Sequence, residues 1–404
     1  MKRTQRVSIA ALGMVLGVVG QAVAADWNVT LLEPSGAGQS KALGAYGGVQ
    51  CGYANFGMQG EALLWAGSPT GYYNISTGRG WTSAAANAIS GDQVVISATV
   101  GMGRGFLFKL SDESLTDLTG TNPSVGMQGV HGDTNTQVGS GMGSMMMGIM
   151  MMFHGTAGSA VDLTPPGWVS AAAVGCSSTY QVGNGFQGFM GFGRPFITYG
   201  TAPSYVDLTP SGATSAAVAG CDETNQVGGV LWPSAGMGHA CMWSGTAASV
   251  IDLHPSFATS SSAVACWNGV QVGNYVPSSG GFGHAVVWTG SAATAEDLHQ
   301  YVTSQLGAQY IQTEVTGIDP ITYDIVGVAY TTDGMFMIPH AIMWSPAAPN
   351  CPADFNHDSF VNGDDYDGFA SLFEMGDLGA DFNNDGFVNG DDYDLFAEHF
   401  DAGC

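Results

Sequence analysis

Positive charge is nearly missing from this sequence. Its 404 residues carry 8 Lys and Arg against 33 Asp and Glu, a formal net charge of −25. Three of the eight fall in the opening MKRTQR, which leaves Lys41, Arg79, Arg104, Lys109 and Arg194 for the rest of the chain. Such a surface repels phosphate backbones and anionic lipid, which excludes nucleic acid and membrane surfaces as partners. Long apolar runs are scarce too. After the opening VSIAALGMVLGVVG, no stretch approaches the roughly 20 residues that span a bilayer. Helix-type phosphate loops are also lacking: GMGRG (101–105) has glycines but no helical pattern after it. Acidity alone suggests disorder, but 45% apolar residues and regular punctuation describe a folded chain.

The basic start, the short apolar run and the A-x-A exit at Ala22 and Ala24 are the parts of a secretory signal peptide over residues 1–24. The expected address is therefore secreted or cell-surface, with no membrane span after cleavage. Seven cysteines in an exported chain suggest disulfides with one thiol left over. Cys351 and Cys404 bracket a terminal segment with fourteen acids and no Lys or Arg, and a bond between them is expected. The pairing of Cys51, Cys176, Cys221, Cys241 and Cys266 stays open.

Between these ends the chain repeats. Asp117, Asp162, Asp207, Asp252 and Asp297 are spaced 45 apart, and Gln-Val-Gly recurs at Gln137, Gln181, Gln226 and Gln271. A third landmark closes each unit at Trp65, Phe108, Phe153, Thr198, Trp243, Trp288 and Trp344, the last interval stretched by an insertion around 301–311. Each unit holds four short apolar or alternating stretches between Gly, Ser and Pro clusters; in the fourth they are SAAAVGC (170–176), YQVGNGF (180–186), RPFITY (194–199) and SYVDLT (204–209). Four strands, a to d, in about 45 residues describe a blade of a β-propeller. Seven a, b and c strands occur, but the seventh d strand is missing, and WNVTLLEP (27–34) matches its pattern. The fold expected over 25–347 is an all-β, seven-bladed propeller closed by its N-terminal strand.

GHACMWSGTAASVIDLHP (238–255) and GHAVVWTGSAATAEDLHQ (283–300) resemble the HAF-type extracellular repeats of bacterial secreted proteins, although Cys241, Val286 and Ile342 stand at the Phe of that pattern. The resemblance implies a fold and an address, and brings no catalytic residues. His239, His284 and His340 precede the c-strand Trp by four residues, but strands of neighbouring blades are too far apart for shared ligation, so a scaffold role is expected. The repeated aspartates read as blade-locking hydrogen bonders. The methionine-rich MGSMMMGIMMMF (142–153) reads as core filler rather than a copper(I) site. On the a strands, Lys41, Asn87, Gln128 and Glu314 break a small-residue pattern and are the candidates for a ligand site in the central channel. Glu314, Asp319, Tyr323 and Asp324 stand outside the repeat in the irregular seventh unit.

DFNHDSFVNGDDYD (354–367) returns as DFNNDGFVNGDDYD (381–394). Oxygen ligands for calcium come from positions 1, 3, 5, 7, 9 and 12 of such a loop, position 7 through its carbonyl. The first copy supplies Asp354, Asn356, Asp358, Phe360, Asn362 and Asp365; the second supplies Asp381, Asn383, Asp385, Phe387, Asn389 and Asp392. Two Ca2+ sites are expected. The first should be weaker, since Ser359 stands where Gly386 can adopt the positive φ that position 6 demands. Each loop is followed by a helical pattern. A duplicated loop-helix with Asp at position 12 resembles a dockerin, and the closing AGC with the flanking cysteines is similar to the GC type, over 351–404. The expected small α-helical, calcium-binding dockerin-like domain occupies 348–404. The resemblance implies a cohesin-like or other cell-surface anchoring partner, contacted by Gly363, Asp364, Gly390 and Asp391 at loop positions 10 and 11.

Together these readings predict a secreted, non-catalytic binding or structural propeller anchored through its calcium-dependent tail, with a glycan as the ligand class considered. The alternative is a polysaccharide-active glycoside hydrolase or lyase on a propeller scaffold.

Overall fold

The computed structural model describes residues 26–143, 146–188, 192–347, 352–355, 361–383 and 386–402. The expected signal peptide, Cys351 and Cys404 with the bond expected between them, and the loop residues Asn356, Asp358, Ser359, Phe360 and Asp385 lie outside the described residues.

Residues 27–346 form seven four-stranded antiparallel sheets arranged as a β-propeller. In blade 4 strand a is Ser170–Cys176, b is Gln181–Phe186, c is Arg194–Thr198 and d is Val206–Asp207. Strand d is shorter than the SYVDLT pattern because Ala202–Ser204 wind into a 3-10 turn. There Ser204 Oγ accepts the N–H of Tyr199 (2.8 Å) and donates to Thr201 O (2.6 Å). Blade 7 combines Gln312–Ile318, Ile325–Thr332 and Met337–Pro346 with the N-terminal strand Trp27–Leu31, which pairs from Trp27 opposite Pro346 to Leu31 opposite Ile342. The ring is therefore closed by the two ends of the propeller chain. The insertion in the last unit becomes helix α1 (His299–Gln305), which covers that strand's outer edge: Gln305 Oε1 accepts Val29 N–H (2.8 Å) and its Nε2 donates to Trp27 O (2.6 Å).

Both parts of the Gln-Val-Gly signature have a physical cause. The glutamine is buried, and its Oε1 accepts the N–H of a glycine in the turn from c to d, at 2.7–2.8 Å for Gly155, Gly200, Gly245 and Gly290. Those glycines adopt φ of +73 to +79°, where a side chain is strained. The glycine of the triplet sits where strand a shifts register against b, as between Val218 and Gly220 in blade 5. A Cβ on Gly228 would lie 2.0 Å from Ala217 O, and one on Gly273 2.1 Å from Ser262 O.

The core lies in the seams between blades. Tyr180, Val182, Ile197 and Leu208 of blade 4 pack against Ala216, Val218, Val230, Cys241 and Trp243 of blade 5. Met150, Met151 and Met152 fill such seams around blade 3, as gap-filling residues do. Cys51, Cys176, Cys221, Cys241 and Cys266 are free thiols, which corrects the expectation of disulfides among them. They are held on separate blades or inside seams, and burial pushes the Cys51 and Cys176 thiols up to about 12.

The C-terminal part is helical. Helix α2 (Gly363–Met375) starts from Asn362, whose side chain accepts Asp364 N–H, and ends at Gly376 with φ +65°. Helix α3 is Gly390–Ala402. Phe369 and Phe396, equivalent in the two copies, stack with ring centroids 4.0 Å apart, and Tyr366 Oη lies 3.2 Å from Tyr393 Oη. The tandem sequence thus folds as a pair whose repeat-equivalent aromatics meet each other.

Replacing Gly228 by Ala drives a Cβ into backbone and is expected to cost about 3 kcal/mol. Gly158 has open space around it, and its replacement by Ala should stay within about 0.5 kcal/mol. Denaturant midpoints of the two variants test the account.

Candidate functional site

Strands alternate in direction, so every loop from b to c and every turn from d to the next a emerges on one face. On that face a residue near the start of strand c meets a residue at or just past the end of strand d. The d-strand carboxylate is anchored identically in five blades. Oδ1 of Asp117, Asp162, Asp207, Asp252 and Asp297 accepts the N–H two residues on, at 2.8 Å in each case.

Its partner on strand c varies. Arg104 pairs with Asp117 (Nε to Oδ2 2.9 Å) and Arg194 with Asp207 (2.5 Å). In blade 1 the polarity is exchanged, with Asn74 donating to Glu61. In blades 5 and 6 the partners are His239, 2.8 Å from Asp252, and His284, 3.0 Å from Asp297; in blade 7 His340 lies 2.9 Å from Glu33. Each histidine thus pairs on its own face position with a carboxylate.

A second substitution accompanies the change to histidine. In blade 2 the second residue after the d strand is Thr119, whose hydroxyl accepts Gly105 N–H (2.9 Å). In blades 5 and 6 this residue is His254 or His299, and the strand-c N–H turns instead to Ser261 or Thr313 of the following blade (2.9 Å each). His254 stacks on His239 at 3.9 Å, and His299 lies 4.1 Å from His284. Burial, then the neighbouring imidazole, lowers both second histidines, His299 to about 4. His254 Nδ1 lies 2.8 Å from Ser261 Oγ, the nearest approach to a serine–histidine pair in these blades. Ser261 is buried and already accepts Ala240 N–H, so the pair locks the seam rather than presenting a nucleophile.

Aromatic side chains flank the imidazoles: Trp232 beside His239, Tyr275 beside His284 and Tyr310 beside His340, with centroids 5.4–5.9 Å apart. Two cavities open here. One of about 430 Å³ is lined by Trp232, Ser234, His239 and Asp252. The other, about 640 Å³, is lined by Phe257, Tyr275, Phe282, His284 and Asp297. The sequence reading missed these aromatics and His254 and His299; the visible signal was His replacing Thr after the d strand in two units only.

Of the channel candidates, the structure joins two. Lys41 Nζ donates to Tyr330 Oη (2.9 Å), which donates to Glu314 Oε2 (2.7 Å). Asn87 instead donates to Met127 O (2.7 Å), bridging two blades, and Gln128 Oε1 accepts from Ser140 Oγ (3.4 Å). In the seventh blade Asp319 is buried and accepts the N–H groups of Gly47 and Gly48 (2.9 and 2.8 Å), tying that blade to the first. Tyr323 Oη accepts from Asn268 Nδ2 (2.8 Å), and burial raises Asp324.

In the C-terminal loops the position-12 carboxylates, Asp365 and Asp392, are buried. Asp365 Oδ2 accepts Asn362 N–H (2.9 Å), and Asp392 accepts Asn389 and Asn383 N–H (2.8 and 3.1 Å). These backbone donors hold the Asp392 carboxyl below its ordinary range. Gly386 has φ +89°, and its N–H donates to Asp381 Oδ2 (2.8 Å). Asp354 is buried, while Gly363, Asp364, Gly390 and Asp391 open the two helices. Among the described residues no group of three or more His, Cys, Asp or Glu is gathered to hold a metal; the third acid of each loop, Asp358 or Asp385, lies outside them. The described side chains of the pattern are hard oxygen donors, in the loops and in the first turn of each helix, which fits calcium.

No family model and no curated protein matches this sequence. Among solved structures, the β-propeller domain of the Trilobed protease from Pyrococcus furiosus, described as having an open velcro topology, is 9% identical with a TM-score of 0.54, over 76% of this chain and 95% of that one. A structure from a study of two prolyl endopeptidases (10% identity, TM-score 0.53) and puromycin hydrolase (12%, 0.52) are similar over 77% and 78% of this chain, which spans 48% and 54% of theirs. At such identities the likeness establishes the fold. It also corrects the functional expectation: these neighbours are propellers of peptidases, which overturns the reading as a dockerin-anchored binding propeller and its polysaccharide-active alternative.

Because His299 takes its proton far below the ordinary 6.5 of the unfolded imidazole, the unfolded chain binds the extra proton between pH 6.5 and about 4. Stability present above this window is expected to fall as pH drops through it. A His299→Gln variant should show a shallower decline, read as melting temperature against pH.

Proposed function

We propose that the ring is a peptidase-type propeller that receives polypeptide on the face bearing its b-to-c loops and d-to-a turns. The fold shared with the Trilobed protease propeller over 95% of that domain carries the reading. The cavities of that face support it: aromatic walls and a hydrogen-bonded carboxylate floor offer apolar area and polar anchors for a chain, as binding sites require. Fluorescence anisotropy of labelled fragments of an unfolded protein against the full chain tests this. Saturable binding in the micromolar range is expected, and no binding at any accessible concentration would remove the reading.

The tail is assigned, in the same proposal, to a dockerin-like pair of calcium loops. Asp354, Asn356, Asp358, Phe360, Asn362 and Asp365 would hold one ion, and Asp381, Asn383, Asp385, Phe387, Asn389 and Asp392 the other. Gly386 at φ +89° supports the second loop most directly. Calorimetry of the full chain should resolve two sites, the first weaker. Ser359→Gly should tighten the first about tenfold, the equivalent of 1–2 kcal/mol of left-handed strain. Two equal sites in the unaltered chain would refute the ordering.

A further inference from the structure

Blades 2 and 4 show what the d-strand carboxylate of this ring binds. There a guanidinium of the protein's own, from Arg104 or Arg194, lies on Asp117 or Asp207, thirteen residues on. Blades 5 and 6 keep the carboxylate at the same register, with Asp252 opposite Cys241 and Asp297 opposite Val286, as Asp207 lies opposite Phe196. At the arginine position they carry His239 and His284. An imidazole is shorter than a guanidinium stem, and against these two blades lie the cavities of about 430 and 640 Å³.

We propose that the two cavities are sites for guanidinium side chains, each taking from a ligand the arginine that blades 2 and 4 supply themselves. Charge favours this. No Lys or Arg follows Arg194 anywhere in the sequence, so the blade 5 to 7 arc carries no fixed positive charge of its own. The walls favour it as well. Trp232 lines one cavity, and Phe257, Tyr275 and Phe282 line the other, with Phe257 39% and Phe282 49% exposed. Aromatic faces with a carboxylate beneath suit a planar cation better than a neutral group. Although burial pushes Asp297 up, the hydrogen bond and charge of His284 and the His299 N–H outweigh it and keep the carboxyl below its ordinary range. Two cavities beside register-equivalent carboxylates on successive blades suit a peptide carrying two arginines. The peptide as source rests on the function proposed above; the cation site itself does not.

The test is calorimetry of the full chain at neutral pH with N-acetyl-arginine amide and its neutral isostere N-acetyl-citrulline amide, then with peptides bearing two arginines or two citrullines. Arginine should be preferred by at least about tenfold, as a charge-assisted hydrogen bond implies. The double variant His239→Arg, His284→Arg copies the arrangement of blades 2 and 4, so it should fold with an unchanged circular dichroism spectrum and lose the preference. Should it fail to fold, Asp252→Asn with Asp297→Asn gives the same readout. Equal affinity for arginine and citrulline, or undiminished arginine preference in a folded variant, overturns the proposal. Binding of arginine amide without binding of any peptide would support the cation sites and remove the peptide reading.

Discussion

Crowding around the axis is the constraint on which the rest of this structure depends. Seven a strands converge there, and a Cβ on Gly220 would meet Val264 O of the next blade at 2.4 Å. Most a strands are accordingly rich in Ala, Gly and Ser, and the glycine of Gln-Val-Gly lets strand b approach the bulged a strand without a clash. Once that inner ring is packed, larger side chains can be placed only outward. Trp65, Trp243, Trp288 and Trp344 then fill the blade seams further from the axis, fully buried. Ring closure follows from the same packing, since the seventh blade is completed only when Trp27–Leu31 supplies its outer strand.

A repeat built this way fixes the backbone in every blade and the d-strand aspartate in five of them, and leaves the other side chains of one face free to differ. The d-strand aspartate is an element of the scaffold, because its Oδ1 is committed to a backbone N–H. Its Oδ2 faces whatever strand c provides. Where strand c provides arginine, the position is filled by a guanidinium; where it provides histidine in blades 5 and 6, the side chain is shorter and a cavity with an aromatic wall lies beside it. Chemical individuality therefore arises from departures within a conserved geometry, and it gathers on blades 5 to 7.

The C-terminal pair obeys a different economy of structure. Its core is small, centred on Phe369 and Phe396 stacked across the two copies, with Ala353 and Ala380 beneath. A module of this size has little apolar area to bury, and cation ligands commonly make up such a deficit. Buried Asp365 and Asp392, tied to helix N-termini by backbone donors, place negative charge where a hard cation would hold the loops to the core.

By itself the sequence determined the propeller and its closure, because a 45-residue period is a property of the chain and each strand's pattern repeats with it. Blade 4's strand a was legible to the residue, and the two C-terminal helices were legible because the tandem repeat and the helical pattern after each copy are local properties of the chain. Strand d was overestimated, since the 3-10 turn at Ala202–Ser204 depends on Ser204 reaching back to Tyr199, a local hydrogen bond that hydrophobic pattern does not report. Only the tertiary structure decided the face. Residues thirteen apart become partners through strand pairing, Ser261 and Thr313 reach back across a seam, and Trp232 and Tyr275 meet histidines through loop geometry. It likewise joined Lys41 to Glu314 through Tyr330, 289 residues from the lysine, because ring closure sets the first blade beside the last.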